Sequence, residues 1–121
     1  MAARGAQILV YPGAFNMTTG PAHWELLARA RAVDAQLFVA LCSPARDTSD
    51  SGGYKAYGHS LVAGPFAEVV AQAGAGAETL LAEVDLSEVA ARRSAMPLAH
   101  QRRADLYALL DLGRRAEGED V

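Results

Sequence analysis

Cysteine is nearly missing from this chain: its 121 residues hold one, Cys42. One thiol builds no internal disulfide framework, which suits a reducing compartment. No apolar run approaches the roughly 20 residues that cross a bilayer. Residues 1–15 lack the charged start, long apolar middle and small-residue cleavage site of a secretory leader. The 11 basic residues form no stripe with interleaved aromatics and the net charge is −3, so nucleic acid is not an expected partner. His23, His59 and His100 stand at no spacing that pairs ligands on one helix turn, so no metal is expected. These absences place the chain among soluble intracellular proteins, in the cytoplasm or, as a second choice, the mitochondrion.

What is present fits one domain at most, since domains commonly run to about 100–150 residues, and 51% hydrophobic residues can build a core. Ile8-Leu-Val-Tyr11 and Leu37-Phe-Val-Ala-Leu-Cys42 are short continuous apolar runs, which read as strands buried on both faces. Between them, Thr18-Thr-Gly-Pro21 offers a cap and a first-turn proline to a helix over residues 22–36. Trp24, Leu27, Ala28 and Arg31 fall near one face of it, widened by Leu26, Ala30 and Val33. Residues 45–57 are polar and read as a loop. His59-Ser-Leu-Val-Ala63 and Ala67-Glu-Val-Val-Ala71 flank Gly64-Pro-Phe66 and predict a hairpin with a loose turn. Thr79-Leu-Leu-Ala-Glu-Val84 is β-capable, and Asp85-Leu-Ser-Glu88 opens a helix that stops near Met96-Pro97. The expected class is α/β, with about five strands and two helices packed on the sheet. Two helices cannot cover both faces of such a sheet, so one side is left bare.

Phe15, Asn16, Thr18 and Thr19 lie just past the carboxyl end of a strand, where α/β sheets place ligand-binding loops. They serve equally as a helix cap with Phe15 as its staple, and the amides of the helix start favour an anion. Arg46 can meet a substrate carboxylate or a partner subunit. Glu25 reads as a solvated first-turn carboxylate, and Arg29, Arg31 and Asp34 as a surface network. Cys42 ends an apolar strand and reads as a buried core residue, not a nucleophile. His23 and His59 are read as structural.

Five segments in order carry a resemblance: Pro12-Gly-Ala-Phe-Asn16, Thr19-Gly-Pro-Ala-His-Trp-Glu25, Arg29-Ala-Arg-Ala-Val-Asp34, Ser43-Pro-Ala-Arg-Asp47 and Gly58-His-Ser60. With Pro97 and the run Arg102-Arg-Ala-Asp-Leu-Tyr107, they are similar to the carbon–nitrogen hydrolase (nitrilase) superfamily, in its omega-amidase branch. The resemblance implies the C-terminal part of a nitrilase-type α-β-β-α sandwich that pairs with a second copy. It implies hydrolysis of 2-oxoglutaramate or 2-oxosuccinamate to the 2-oxo acid and ammonia, with no cofactor. The family works through a Cys nucleophile, a Glu base and a Lys. All three fall before Met1 in the family pattern, so no catalytic residue is assigned here. Phe15, Asn16, Thr18, Thr19 and Arg46 are the expected substrate-binding set, since such a substrate carries a carboxylate. Ala35 departs from the family, which places Asn there.

The expected organisation is a partial hydrolase domain over residues 1–107 and a polar tail over 108–121, with residues 117–121 frayed. The isolated chain should be inactive and poorly soluble. The alternative is a noncatalytic partner of a full-length nitrilase-family subunit, in a homo- or hetero-oligomer. A third account is a split enzyme whose other half is encoded separately.

Overall fold

The computed structural model describes residues 1–49 and 52–108; Asp50, Ser51 and all of the expected tail but its first residue lie outside them. A short 3₁₀ turn, Ala2–Arg4, leads into β1 (Ile8–Pro12), α1 (Thr19–Ala35) and β2 (Phe38–Cys42). The hairpin β3 (Leu61–Ala63) and β4 (Val69–Gln72) follows, then α2 (Ser87–Ala95) and α3 (Leu98–Gln101). The strands form one sheet in the order β1-β2-β3-β4. β1 runs parallel to β2, with Leu9 opposite Val39, and the later pairs are antiparallel. The mixed α/β class and the β-α-β start agree with the apolar runs that predicted them.

Helix α1 lies on one face of the sheet. Its Trp24, Ala28 and Ala32 pack with Leu37, Val39, Leu41, Leu61 and Ala63, and Leu9 joins them partly buried. The buried residues of α1 are Gly20, Trp24, Ala28 and Ala32, an i,i+4 ridge of mostly small side chains that brings the helix close to the strands. This corrects the face expected from the sequence, because Leu26 and Leu27 are exposed.

Three other expectations are corrected. β1 is not buried on both faces: Val10 is 64% exposed and Ile8 41%. Among the described residues β1 has β2 as its one neighbour, so its outer edge and one face meet solvent. Residues 79–84 join no ladder, leaving four strands instead of about five, and Leu81 is exposed. A β-capable run becomes a strand only when an edge accepts it. Cys42 is exposed rather than buried. It closes β2 on the side away from Val39 and Leu41, the face that α1 leaves uncovered.

The remaining ends follow local chemistry. The hairpin turn closes through Ala67 N–H donating to Gly64 O (3.0 Å), with Ala67 at φ 69, a position that three-residue hairpin loops give to a left-handed residue. Gln36, also left-handed at φ 50, ends α1. Its buried amide donates to Met96 O at 2.6 Å and so ties the end of α1 to the end of α2. Helix α2 ends at Ala95, just before Met96-Pro97 as expected. Its start is held by the Asp85 carboxylate, which accepts the Ser87 N–H at 2.8 Å. Bonds from the Ser87 side chain and amide keep that carboxyl below the usual carboxylate range.

Candidate functional site

Because β1 and β2 are parallel, their carboxyl ends emerge on the same side of the sheet. Two loops start there: residues 13–18, which lead into α1, and residues 43–60, which lead into β3. Gly13 N–H donates to Cys42 O (2.9 Å), and Ser43 N–H to the Ser60 hydroxyl (3.0 Å), so both loops leave from fixed points.

In the first loop Asn16 does the capping. Its Oδ1 accepts the N–H of Thr18 (2.9 Å), the N–H of Thr19 (2.8 Å) and the Thr19 hydroxyl (3.0 Å). Thr18 itself has helical dihedrals and makes no side-chain cap bond. Helix α1 therefore begins at Thr19, three residues before the start expected at residue 22. Gly20 N–H donates to Asn16 O (2.8 Å). Three amides of the helix start are thus engaged inside the turn. What this end can still offer an anion is the field of the helix rather than a nest of open N–H groups.

Phe15 meets Trp24 edge-on, with ring centroids 5.0 Å apart. The Trp24 indole N–H reaches across and donates to His59 O (2.7 Å). His59 stands at φ 58 with its imidazole 4.3 Å from the Tyr57 ring, and its N–H donates to Gly74 O (2.9 Å). This is a structural use of the residue, as expected. His23 is exposed on α1.

The second loop docks on the first. Tyr57 N–H donates to Phe15 O (2.7 Å), and the Tyr54 hydroxyl to Ala14 O (3.1 Å). The Tyr57 ring lies so close over Gly20 that a Cβ there would overlap it. Gly58 is likewise required: at φ 78, a Cβ would stand 2.8 Å from Ala75 Cα. Arg46 donates from Nη2 to Tyr57 O (2.8 Å) and from Nε to Ala56 O (3.4 Å), and its N–H donates to Ala75 O (2.7 Å). Phe15, Asn16, Thr18 and Thr19 are therefore gathered in one loop, while Arg46 stands behind it across Tyr57. The sequence reading missed Tyr54 and Tyr57. Two tyrosines three residues apart in an otherwise polar loop were the available signal that the loop packs on something.

Beside this end, an apolar cavity of about 400 Å³ opens between β1 and α1, lined by Tyr11, Phe15, Trp24, Leu27 and Leu41 among others. Its lining is mostly apolar, with Arg31 its one charged residue. On the surface of α1, Arg29 pairs with Glu25 (3.1 Å) and Arg31 with Asp34 (2.7 Å). Arg29 also donates from Nε to Ala67 O (2.8 Å), which secures the hairpin turn. These are exposed surface pairs; the expected network of Arg29, Arg31 and Asp34 is met in Arg31–Asp34, while Arg29 turns to Glu25, which was expected to be solvated. Among the described residues no group of His, Cys, Asp and Glu is arranged to hold a metal ion. No helix there is long and apolar enough to cross a membrane.

Residues 1–94 match the carbon-nitrogen hydrolase family model. Over 113 residues the chain is 58% identical to the chloroplastic omega-amidase of Arabidopsis thaliana, covering 93% of this chain and 30% of that protein. Over 108 residues it is 55% identical to the human omega-amidase NIT2, covering 89% of this chain and 38% of that protein. The chain thus spans about a third of the length of these relatives. Among solved structures, Saccharomyces cerevisiae Nit3, a member of the nitrilase superfamily, superposes with a TM-score of 0.77 at 53% identity. That superposition covers 84% of this chain and 37% of Nit3.

Proposed function

The chain belongs to the carbon-nitrogen hydrolase family, and from that premise we propose that it is part of an omega-amidase. The reaction is hydrolysis of the terminal amide of 2-oxoglutaramate or 2-oxosuccinamate, giving the 2-oxo acid and ammonia. The observation that carries this reading is the 58% identity to an omega-amidase, sustained over 113 residues that include both loops of the candidate site.

The chain's share of the work is binding. Phe15, Asn16, Thr18 and Thr19 form one wall of the substrate pocket, with Arg46 at its back. The positive end of α1 favours the substrate carboxylate through its dipole, worth about 0.3–1 kcal/mol at an exposed site. Asn16 holds the loop in the shape that presents that end. No cofactor takes part. The chemistry needs a nucleophile, a base and a cation that act together. Cys42, the chain's one thiol, is exposed at a strand end, and among the described residues no hydrogen bond links its sulfur to a base. The isolated chain is therefore inactive, and the proposed compartment is the cytoplasm.

A chimera tests the reading: this chain replaces the matching segment of human omega-amidase NIT2. Ammonia release from 2-oxoglutaramate by the folded chimera is the expected result, and a folded but inactive chimera would overturn it. Ammonia release by the 121-residue chain alone, abolished by Cys42→Ala, would overturn the inactivity.

The uncovered apolar residues Ile8 and Val10 favour a second reading, association with a nitrilase-family subunit as a noncatalytic partner. Co-purification with a full-length omega-amidase at micromolar concentration supports it, and failure to co-purify counts against it.

A further inference from the structure

We infer that Arg46 is a positioning residue, which fixes the Phe15–Thr19 wall by locking the neck of the loop over residues 46–57, and does not itself bind the substrate carboxylate. Residue 46 and residues 56–57 stand side by side at the base of this segment. Its neck is closed by the Arg46 guanidinium, with Nε on Ala56 O and Nη2 on Tyr57 O. That Nε–Nη2 edge is one of the two by which a guanidinium takes a carboxylate in bidentate fashion, and here main-chain carbonyls occupy it. The Arg46 N–H, on Ala75 O, anchors the same residue to the segment after β4.

The consequence passes through Tyr57. The residue whose carbonyl Arg46 holds gives its N–H to Phe15 O and lays its ring over Gly20. Two neighbours extend the effect, since His59 stacks on Tyr57 and its carbonyl takes the Trp24 indole N–H, while Trp24 in turn meets Phe15. Releasing the neck loosens Tyr57, and with it Phe15 at one end of the capping turn. Arg46 is half-buried and meets this chain of contacts through the Tyr57 carbonyl.

The inference depends on the amidase reading only for what the wall binds, and the test separates the two. Hydrogen exchange is followed by NMR in the full 121-residue chain, comparing Arg46 with Arg46→Met and Arg46→Lys. In Arg46→Met, exchange at the Tyr57 amide and the Trp24 indole should quicken by about tenfold or more, while the Ala32 and Leu41 amides change less than about twofold. Arg46→Lys, which keeps the charge but cannot bridge both carbonyls, should fall between them. It is also the fallback if Arg46→Met does not fold. Unchanged exchange at Tyr57, or an equal rise at every amide, would overturn the inference. In the active chimera, a direct carboxylate ligand predicts a raised KM with Tyr57 exchange unaltered, which would overturn it too. A chimera inactive with Arg46 in place would sink the amidase reading and leave the exchange result standing.

Discussion

The two faces of the sheet are built from the same kind of residue and end in different surroundings. Val39 and Leu41 point toward α1 and are 0% and 9% exposed, whereas Val10 points the other way from the neighbouring strand and is 64% exposed. Both belong to short apolar runs that look alike in the sequence. Composition decides which strands are able to be buried, and neighbours decide which are. On the covered face a helix ridge of Gly20, Trp24, Ala28 and Ala32 supplies the neighbour. On the other, Phe38 is buried at 2% exposure, but Ile8, Val10 and Cys42 beside it are left exposed.

The sharpest way to break this comparison is to remove the main contact of the covered face. Trp24→Ala deletes the ring that packs on Phe15 and the indole donor to His59 O. A loss of about 3–5 kcal/mol is expected for truncating a buried aromatic, read from the shift of a urea unfolding curve. A loss under about 0.5 kcal/mol, the usual range of surface changes, would mean that this face is no better held than the exposed residues of the other.

Much of the fold was legible in the residues, and the failures have a common cause. Both parallel strands, α1, the hairpin and the stop of α2 before Pro97 followed from local signals: apolar runs, a turn-forming Gly64-Pro65, a helix breaker. Burial was misread wherever it depended on an element that only the folded chain reveals. Cys42 and β1 were expected inside because short apolar runs usually have neighbours on both sides. Leu26 and Leu27 drew attention by size, although the close approach of α1 selects small residues, which carry a weaker hydrophobic signal. At the candidate site, the loop of Phe15, Asn16, Thr18 and Thr19 could be located from the strand end before it. The clasp by Arg46 and Tyr57 could not, because it joins residues whose spacing follows no local period.

Two smaller changes probe the end where the loops dock on the covered side. Gly20→Ala places a methyl against the Tyr57 ring, and such overpacking costs about 1–3 kcal/mol. Near-ultraviolet circular dichroism should change with it, since Tyr57 and its stacked neighbour must shift. An unaltered spectrum with full stability would show that the loop over residues 43–60 is not pressed on α1. Asn16→Ala removes the oxygen that takes two amides and a hydroxyl, and losing a cap of this kind costs about 0.5–2 kcal/mol. Asn16→Asp, which keeps the acceptor, should recover most of the loss in the same unfolding measurement. Failure of Asp to recover it would assign the effect to something other than capping.

The smallest expected change in stability is on the exposed part of that face, around Ile8, Val10 and Cys42, and it is the most telling. Val10 lies on the edge strand with its side chain largely in water, so Val10→Lys removes little buried area and should shift stability by no more than about 0.5 kcal/mol. Its effect belongs to association. Gly5 through Ala22 contain no charged residue, and Pro12 alone interrupts the hydrogen-bonding edge of β1. A lysine within an exposed apolar edge is a common natural device against strand-to-strand pairing. Sedimentation velocity at several concentrations should therefore show less self-association for Val10→Lys than for the parent chain, at nearly equal unfolding midpoint. The Cys42 thiol, on the same face, gives an independent reading: in the dispersed variant it should react with a thiol reagent without denaturant. A large loss of stability in Val10→Lys would mean that this face is covered in the folded chain. Unchanged self-association would place the sticky surface elsewhere, most plainly at the apolar cavity between β1 and α1.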